Sequence, residues 1–407
     1  RGAATTRRSS VAGLAARAGA PVPITIGTSF ALDRGRGTQS VPVVPALIGA
    51  VVGVLGVVEA LTFADGVSDA SAHPERFGQV SDLVAFVGFN GEDFVDADAV
   101  METVAGDPDV VAVNDTRQGV LESGTVDLPA FVIDPVGAPP PIVVLDGRLP
   151  EAVDEVTIAT ETAARIGAAV GERIELSGSQ GSGSFLVTGI AFVPEGAHNS
   201  YDEGAWLRPD TYDRLIDGFK FHTAEVTVRP GADVEAVRVR AGVAVGEQIG
   251  IPPEATDDLL AVRTPPSRLT ELRQVQRLPL LLAGFLALLA VVAVGHALAT
   301  AVRRRRHDLA VLRAVGVTRW QSRTMVLVQA VVLAGVGLTI GVPTGFALGR
   351  TLWRSVANDT PLDYVPPVAL WALVLVTPVA VLSALLLAAW PSHRAASLRV
   401  AHVLRTE

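Results

Sequence analysis

Four long apolar runs interrupt a sequence that otherwise mixes polar and apolar residues over short distances. They cover residues 41–64, 278–302, 324–348 and 368–390. A helix needs roughly 20 apolar residues to cross a hydrocarbon core of about 30 Å, and each run reaches that length. Each holds at most one ionisable side chain, namely Glu59 in the first and His296 in the second. The pattern therefore predicts four transmembrane helices.

Residues 65–277, between the first two runs, have the shorter periods of a mixed α+β domain. Residues 81–89 alternate as a strand does, which predicts Leu83, Ala85, Val87 and Phe89 on one buried face. Residues 93–104 have helical periodicity, with an apolar stripe that begins at Phe94 and ends at Val104. The fold class predicted is thus a four-helix membrane protein with an α+β domain inserted between helices 1 and 2.

Further elements of this domain are bounded by Gly, Pro and Asp turns. Short strands are predicted at residues 110–113, 131–133, 142–145, 155–159, 173–176, 185–192 and 224–228. Short helices are predicted at residues 160–166 and 209–216, and the Gly- and Ser-rich stretch 177–184 predicts a flexible hairpin tip.

Positive charge is concentrated beside the apolar runs. Residues 1–40 contain six Arg and one Asp, residues 303–323 seven Arg and one Asp, and residues 391–407 three Arg and one Glu. Residues 65–277 carry 15 Lys and Arg against 36 Asp and Glu, a net charge of −21. Because basic residues near span ends stay in the cytoplasm, we expect both ends of this segment and the 303–323 loop there. The 65–277 domain and the short 349–367 loop are then expected outside the inner (cytoplasmic) membrane.

Composition disfavours several function classes. The basic segments lie next to span ends, where contact with anionic lipid headgroups explains them, so nucleic acid is not an expected partner. The absence of cysteine excludes disulfides, thiolate metal sites and cysteine nucleophiles. The densest polar cluster, residues 198–203, shows no metal-ligand or Ser-His-Asp spacing with His73 or His222, and is interpreted as a surface loop. We expect no catalytic, metal or cofactor residues, and hence a non-enzymatic chain.

The third run contains a repeated glycine spacing. Gly337, Gly341, Gly345 and Gly349 recur every four residues and fall on one helix face. Such a face lets a second helix backbone approach closely, which predicts a helix-packing surface. Pro343 lies in the same run and predicts a kink.

The loop between the second and third runs, RRRRHDLAVLRAVGVTRWQSR at residues 303–323, has its own helical signals. Residues 308–315 predict a short helix with Leu309, Leu312 and Val315 on one side, and Gly316 is placed to end it. Thr318 and Gln321 have the spacing of a capping box that begins the next helix. One interpretation is a basic loop with helical tendency; the other is a docking surface for a cytoplasmic partner.

This loop, RHDLAVLRAVGVTR at residues 306–319, resembles the FtsX-like permease family, the membrane subunits of MacB/LolC/FtsX-type ABC transporters. Asp308 stands where Glu is usual, and Val317 where Ala is usual. The order of one span, a large outer domain and three spans is similar as well. In the outer domain, the stretches LDGRLP at 145–150, DEV at 154–156 and VGE at 170–172 are similar to a recurring cadence of the family.

The resemblance implies a permease subunit without a nucleotide site, and the sequence indeed lacks a GxxxxGK[ST] motif. A separate ATPase dimer would dock on the loop, and the spans would transmit its closure to the outer domain, for export or extraction of a lipophilic or peptide substrate. An alternative is a non-transporting subunit that regulates an extracytoplasmic enzyme such as a cell-wall hydrolase. The implied docking residues are Asp308, Leu309, Leu312, Arg313, Gly316 and Arg319.

Residues 1–40 resemble the cytoplasmic linker and elbow helix that precede a first span, with a helix predicted at residues 28–36. Together with a first residue other than Met, this resemblance implies the C-terminal half of a longer permease with two such repeats. The two halves of the transporter would then lie within one polypeptide.

Overall fold

A computed structural model describes residues 13–14, 17–33, 43–196 and 198–397. These residues form two compact units. The first, the helical unit, contains the described residues up to Asp69, Val275–Ser355 and those from Val365 onward. The second, the inserted domain, contains Ala70–Gln274 and Val356–Tyr364.

The α-helices are, in chain order, α1 (Val22–Leu32), α2 (Val43–Ala72), α3 (Ala97–Ala105), α4 (Thr160–Ile166), α5 (Pro209–Leu215), α6 (Val234–Ile249), α7 (Ser267–Val275), α8 (Leu278–Arg304), α9 (Arg306–Ala314), α10 (Arg319–Asp359) and α11 (Leu370–Ser397). Short 3₁₀ helices occupy Pro74–Phe77 and Pro253–Ala255.

Helices α2, α8, α10 and α11 are each long and apolar enough to cross a membrane. The predicted fold class, four such helices with a mixed α and β domain between the first and second, is therefore confirmed. All four helices continue past the ends of their apolar runs, most of all α2, which ends at Ala72, and α10, which ends at Asp359. At about 1.5 Å per residue, the 41 residues of α10 span about 60 Å, well beyond the hydrocarbon core.

The elbow helix α1 begins at Val22, earlier than predicted. Pro21 is its N-cap and Pro23 lies in its first turn, where a missing N–H costs no hydrogen bond. The prolines that suggested a linker therefore start the helix. Residues 34–36, which the prediction included, lie outside the described residues.

The strands are β1 (Leu83–Phe89), β2 (Glu92–Asp93), β3 (Val110–Ser123), β4 (Val126–Val132), β5 (Asp134–Val136), β6 (Val144–Gly147), β7 (Glu155–Ile158), β8 (Arg173–Ser177), β9 (Ser182–Ala191), β10 (Ala205–Leu207), β11 (Phe221–Val228) and β12 (Leu260–Val262). They form one sheet in the order β12-β1-β11-β3-β4-β10-β7-β9-β6. Strands β8 and β9 pair through Ser177 and Ser182, which confirms the predicted hairpin.

Two cores lie on this sheet. The first joins β1, β3 and β11 to α3 and α6 through side chains such as Leu83, Met101 and Val237. The second joins β4, β7 and β9 to α5 through Leu128, Val187 and others. Helix α6 was not predicted, because Gly242 and Gly246 interrupt its apolar pattern. In the structure a Cβ at Gly246 would overlap the Thr256 side chain, so that glycine is a packing contact and not a helix break.

Two phenylalanines predicted to be buried are exposed. The pairing of β1 with β11 shifts register between Phe86 and Gly88, so that Gly88 is buried and Phe89 faces outward. Helix α3 begins only at Ala97, because the Asp96 side chain accepts a hydrogen bond from the Ala99 N–H and caps it. Phe94 therefore precedes the helix and is not part of its buried stripe.

A bidentate ion pair accounts for part of the sequence pattern at residues 145–156. The Arg148 guanidinium donates to both carboxylate oxygens of Glu155, at 2.7 and 2.5 Å. The N–H groups of Glu151 and Ala152 donate to the same carboxylate. The Arg148 guanidinium, followed by these N–H groups, lowers the pKa of Glu155 to about 2. The pair thus closes the loop between β6 and β7.

At one end of the helical unit, a side chain of α2 accepts hydrogen bonds from the start of α11. The Asp65 carboxylate of α2 accepts a hydrogen bond from the Ala369 N–H and another from the Trp371 indole N–H, both at 2.9 Å. Ala369 directly precedes α11, so the carboxylate pairs with a backbone donor at the start of that helix.

The glycine series of α10 lies against the α2 backbone. A Cβ placed on Gly337, Gly341, Gly345 or Gly349 would come within 3.0 Å of a carbonyl oxygen of α2, those of Ala50, Val51, Leu55 and Glu59 respectively. The two backbones therefore approach more closely than any side chain on this face would allow. Helix α10 continues through Pro343, and the kink predicted there stays a prediction.

We predict that Gly345→Ala destabilises the helical unit by about 1–3 kcal/mol, because the added methyl would lie 2.5 Å from the Leu55 carbonyl oxygen. Gly335→Ala, on the same helix, is the matched control, because its Cβ would meet no atom within 4 Å. Thermal unfolding in detergent should show a lower midpoint only for the first variant. Equal midpoints would contradict the close approach.

Candidate functional site

The loop between α8 and α10 is a short, fully structured connection. Helix α8 ends at Arg304, and α9 begins at Arg306, with Arg305 as the C-cap of one and the N-cap of the other. Helix α9 then ends at Ala314, and α10 begins at Arg319. The predicted short helix in this loop is confirmed.

The turn after α9 satisfies the helix end with its own backbone. Gly316 adopts φ +112°, a conformation that a residue with a side chain adopts only with strain. Its N–H donates to the Arg313 carbonyl, and the Val317 N–H donates to the Leu312 carbonyl. This is the Schellman arrangement, and Val317 and Leu312 also share one apolar cluster, as that motif commonly requires. The predicted cap at Gly316 is confirmed.

The next helix begins with a reciprocal pair of hydrogen bonds. The Thr318 N–H donates to the Gln321 side-chain oxygen at 2.8 Å, and the Gln321 N–H donates to the Thr318 hydroxyl oxygen at 3.2 Å. This geometry confirms the predicted capping box. Since residues 312–321 close both helix ends, the turn has little freedom to change the angle between α9 and α10.

The apolar face of α9 is turned inward. Leu309 is 1% exposed and packs in a cluster with Leu298 of α8 and Met325 of α10. Leu312 is half-buried against the same cluster. The two leucines expected to face a partner therefore anchor the loop to the helical unit.

The elbow helix is attached to this loop through Arg305. The Arg305 side chain is buried, its guanidinium lies 4.3 Å from the centroid of the Phe30 ring, and it donates to the Asp33 carbonyl at 2.5 Å. A Cβ at Gly27 would lie 2.7 Å from the Met325 carbonyl oxygen, so α1 also packs closely on α10. The sequence did not predict this contact, because Arg305 is one of four consecutive arginines after the apolar run and nothing in that pattern distinguishes it.

The outward surface of the loop has a different set of apolar residues. Val315 is 82% exposed and Trp320 is 72% exposed, and Val311 is exposed beside them. Among the expected docking residues, Asp308, Gly316 and Arg319 are also exposed, and Arg313 is half-buried. The loop thus exposes three apolar side chains together with one acidic and one basic side chain. We call Asp308, Val311, Val315, Arg319 and Trp320 the loop surface.

Residues 280–399, which include the whole of this loop, match the family model described as FtsX-like permease C-terminal. This region is therefore similar to the C-terminal region of FtsX-like permeases. The resemblance that the loop sequence indicated is confirmed by this match.

Two solved structures are similar to the chain at low identity. The periplasmic region of MacB from Actinobacillus actinomycetemcomitans aligns at 10% identity and a TM-score of 0.31, covering 49% of this chain and 94% of that one. The extracellular domain of the noncanonic ABC-type transporter YknZ from Gram-positive bacteria aligns at 11% identity and a TM-score of 0.31, covering 45% and 100%. No curated protein matches the chain.

The polar cluster at residues 198–203 in the inserted domain is less exposed than predicted. Tyr201 is buried and donates its hydroxyl to the Pro361 carbonyl at 2.6 Å, and the buried Asn199 side chain donates to the Pro194 carbonyl at 2.8 Å. These two hydrogen bonds hold the loop in place. Within the described part of the chain, no group of three or more His, Asp or Glu side chains is arranged to hold a metal ion.

His222 is the most constrained titratable group of that domain. Its Nδ1 lies 2.6 Å from a carboxylate oxygen of Asp93, and its Nε2 lies 2.6 Å from one of Asp115. Two carboxylates can both accept only if both ring nitrogens carry protons. Burial alone favours the neutral ring, but the hydrogen bonds and charges of Asp115 and Asp93 outweigh it and raise the pKa of His222. Arg117 lies opposite His222 on β3 and pairs with Asp213.

We predict that Leu309→Ala destabilises the helical unit by about 2–5 kcal/mol, because it removes a buried side chain from the cluster beneath the loop. Val315→Ala, on the exposed side of the same loop, should change stability by less than about 0.5 kcal/mol. Chemical unfolding in detergent micelles measures both. Similar losses for the two variants would show that α9 is turned the other way.

We also predict that His222 stabilises the inserted domain in a pH-dependent way. Because folding raises its pKa above the ordinary value of about 6.5, its contribution is complete below that pH and disappears as the pH rises through the folded value. His222→Gln should therefore lower the unfolding midpoint clearly at pH 6 and less at pH 9. A pH-independent loss in His222→Gln would refute the charged clamp.

Proposed function

We propose that this chain is the permease subunit of an ABC transporter whose separate ATPase docks on the loop surface. Closure of the ATPase dimer around ATP would move the loop, and the long helices would carry that motion to the inserted domain. The work would serve export or extraction of a lipophilic or peptide substrate. The chain itself would not be an enzyme and would bind no cofactor.

The observation that carries this proposal is the rigid connection of the loop to three helices at once. Helix α8 continues into α9 through Arg305, and the turn between α9 and α10 is closed by hydrogen bonds at both helix ends. Helix α1 is held to the loop by Arg305 and Phe30. A force applied to such a loop has no flexible segment in which to dissipate. It is therefore passed directly to helices that are long enough to cross a bilayer.

The loop surface supports a protein partner in particular. Val315 and Trp320 are exposed apolar residues of the loop, and Asp308 and Arg319 supply exposed charges on the same loop. Aromatic anchors with a charged rim are typical of protein interfaces, and lone exposed valines are not. Leu309 and Leu312 would act by holding this surface in place, and Gly316 by fixing its turn.

In this proposal, the orientation of the chain in the membrane follows from the distribution of its charged residues. Seven Arg in residues 303–323 support a cytoplasmic loop, with both ends of the segment on the same side. The inserted domain, with a net charge of −21 over residues 65–277, would then lie outside the cell's inner membrane. That arrangement gives a cytoplasmic ATPase access to the loop and leaves the inserted domain facing a substrate or an extracytoplasmic protein. The membrane lipid surrounds the four spans.

The test introduces negative charges at the two exposed apolar residues of the loop, Val315 and Trp320. The ABC ATPase that co-purifies with the unaltered chain is identified first, and recovery is then measured with Val315→Asp/Trp320→Asp. We expect at least a tenfold loss of ATPase, because two charges would be buried at the contact. A matched control is Val153→Asp/Val170→Asp, two exposed valines of the inserted domain, which should leave recovery unchanged.

Membrane insertion and the unfolding midpoint must be the same for all three chains, so that loss of the ATPase is not loss of the fold. Unchanged recovery with the loop variant would remove the docking proposal. Undiminished docking with no substrate movement during ATP hydrolysis would instead favour the regulatory alternative.

A further inference from the structure

Four phenylalanines of the inserted domain form an exposed aromatic cluster. Phe86, Phe89 and Phe94 are 49%, 39% and 60% exposed, and Phe221 is half-buried beneath them. The ring centroids of Phe86 lie 5.8 Å from Phe94 and 6.1 Å from Phe221, and those of Phe89 and Phe221 lie 5.5 Å apart. We call these four residues the aromatic tip. A continuous aromatic surface of this kind marks an interaction site, whereas single exposed apolar residues do not.

The aromatic tip is held in place by the fold. Asn90 and Gly91 both have positive φ, as a tight turn between β1 and β2 requires. Beyond the turn, Asp93 reaches across the strand to His222, and only the missing side chain of Gly88 leaves room for its carboxylate. The Phe94 N–H donates to the Val87 carbonyl at 2.8 Å. The exposed rings therefore lie on a fixed hairpin, which lowers the entropy cost of binding.

The surroundings of the aromatic tip are acidic. Glu92 lies opposite Phe89 in the strand pair, and Asp96 and Asp98 follow Phe94 within four residues. All three acidic residues are exposed. The Lys220 ammonium, in turn, lies 5.4 Å from the centroid of the Phe221 ring, which shows that the rings accept a cation over their faces.

The exposed aromatic rings and the acidic residues around them together favour one class of binding partner. An anionic lipid surface would be repelled by Glu92, Asp96 and Asp98. A second copy of the tip would bring the same acidic groups together, which is unfavourable for a symmetric contact. A segment with apolar side chains and neighbouring Lys or Arg matches both features, and the net charge of −21 over residues 65–277 would attract it over a distance.

We propose that the aromatic tip binds the apolar face of a cationic amphipathic peptide, with the acidic residues around it pairing with the peptide's basic side chains. This inference rests on the proposed function, because it names the class of peptide that the permease would handle. It concerns binding alone, however, and needs neither ATP nor an ATPase.

The test uses the full chain in nanodiscs of zwitterionic lipid, with empty nanodiscs subtracted. The probe is a synthetic 18-residue helix of Leu, Phe and Lys, compared with the same peptide in which Glu replaces Lys. We expect the Lys peptide to bind and the Glu peptide not to bind. Phe86→Ser/Phe89→Ser/Phe94→Ser should weaken the Lys peptide at least tenfold. Val120→Ser/Val153→Ser/Val170→Ser, which changes three exposed valines elsewhere on the domain, should leave its affinity unchanged.

Two further variants keep the test independent of folding. Phe94→Ser alone removes the most exposed ring and should weaken binding several-fold with an unchanged unfolding midpoint. Glu92→Gln/Asp98→Asn should weaken binding and also make it less sensitive to salt, because it removes charges and keeps the rings.

Equal binding of the Lys peptide to the tip variant and the valine variant would overturn the proposal, as would equal binding of the Lys and Glu peptides. Concentration-dependent self-association that the tip variant abolishes would assign the surface to a second copy and would also overturn it. Since no ATPase is present, failure here leaves the loop-docking result untouched, and loss of docking leaves peptide binding untouched.

Discussion

The connection between α8 and α10 depends on hydrogen bonds that residues 312–321 make among themselves. The Schellman turn at Gly316 satisfies the end of α9, and the Thr318–Gln321 box satisfies the start of α10. No other segment needs to supply atoms to either end, so the loop surface can be given to a partner without loosening the helices. Leu309 adds a second anchor, because it is buried in a cluster with Leu298 of α8 and Met325 of α10.

The close approach of α10 to α2 complements this rigidity. In a bilayer, apolar side chains gain little by leaving lipid for another helix, so packing distance matters more than hydrophobicity. The glycine series brings backbone against backbone over Gly337 to Gly349. The helical unit thus combines a stiff connection at one end with a tight helix pair along its length, and both are properties that a transmitter of mechanical force needs.

Local signals in the sequence predicted much of this fold. Hydropathy and length sufficed for the four spans, and the spacing of Thr318 and Gln321 sufficed for the cap, since both depend on residues close together in the chain. The wrong predictions concern features that depend on contacts between different helices and strands. Phe89 was assigned to the core by alternation, but the bulge that exposes it depends on the pairing with β11. Helix α6 was not predicted because Gly242 and Gly246 interrupt its apolar pattern. The contact of Gly246 with Thr256, which explains why a glycine stands there, is visible only in the fold. On α9, Leu309 and Val315 were assigned to one side, but Leu309 is buried and Val315 is exposed, because the sequence of a short helix does not show which side its neighbours cover.

The contact of Asp65 with Ala369 and Trp371 has a consequence for biosynthesis. The acceptor is made some three hundred residues before the two donors that it pairs with, since Asp65 belongs to α2 and the donors lie at the start of α11. The N-terminal end of the last helix cannot be completed as that helix leaves the ribosome, and must wait until it meets a helix inserted much earlier. Assembly of the helical unit is therefore finished by a contact between its first and last long helices, and a chain released before residue 371 would lack both the closing contact and the indole that shares in it.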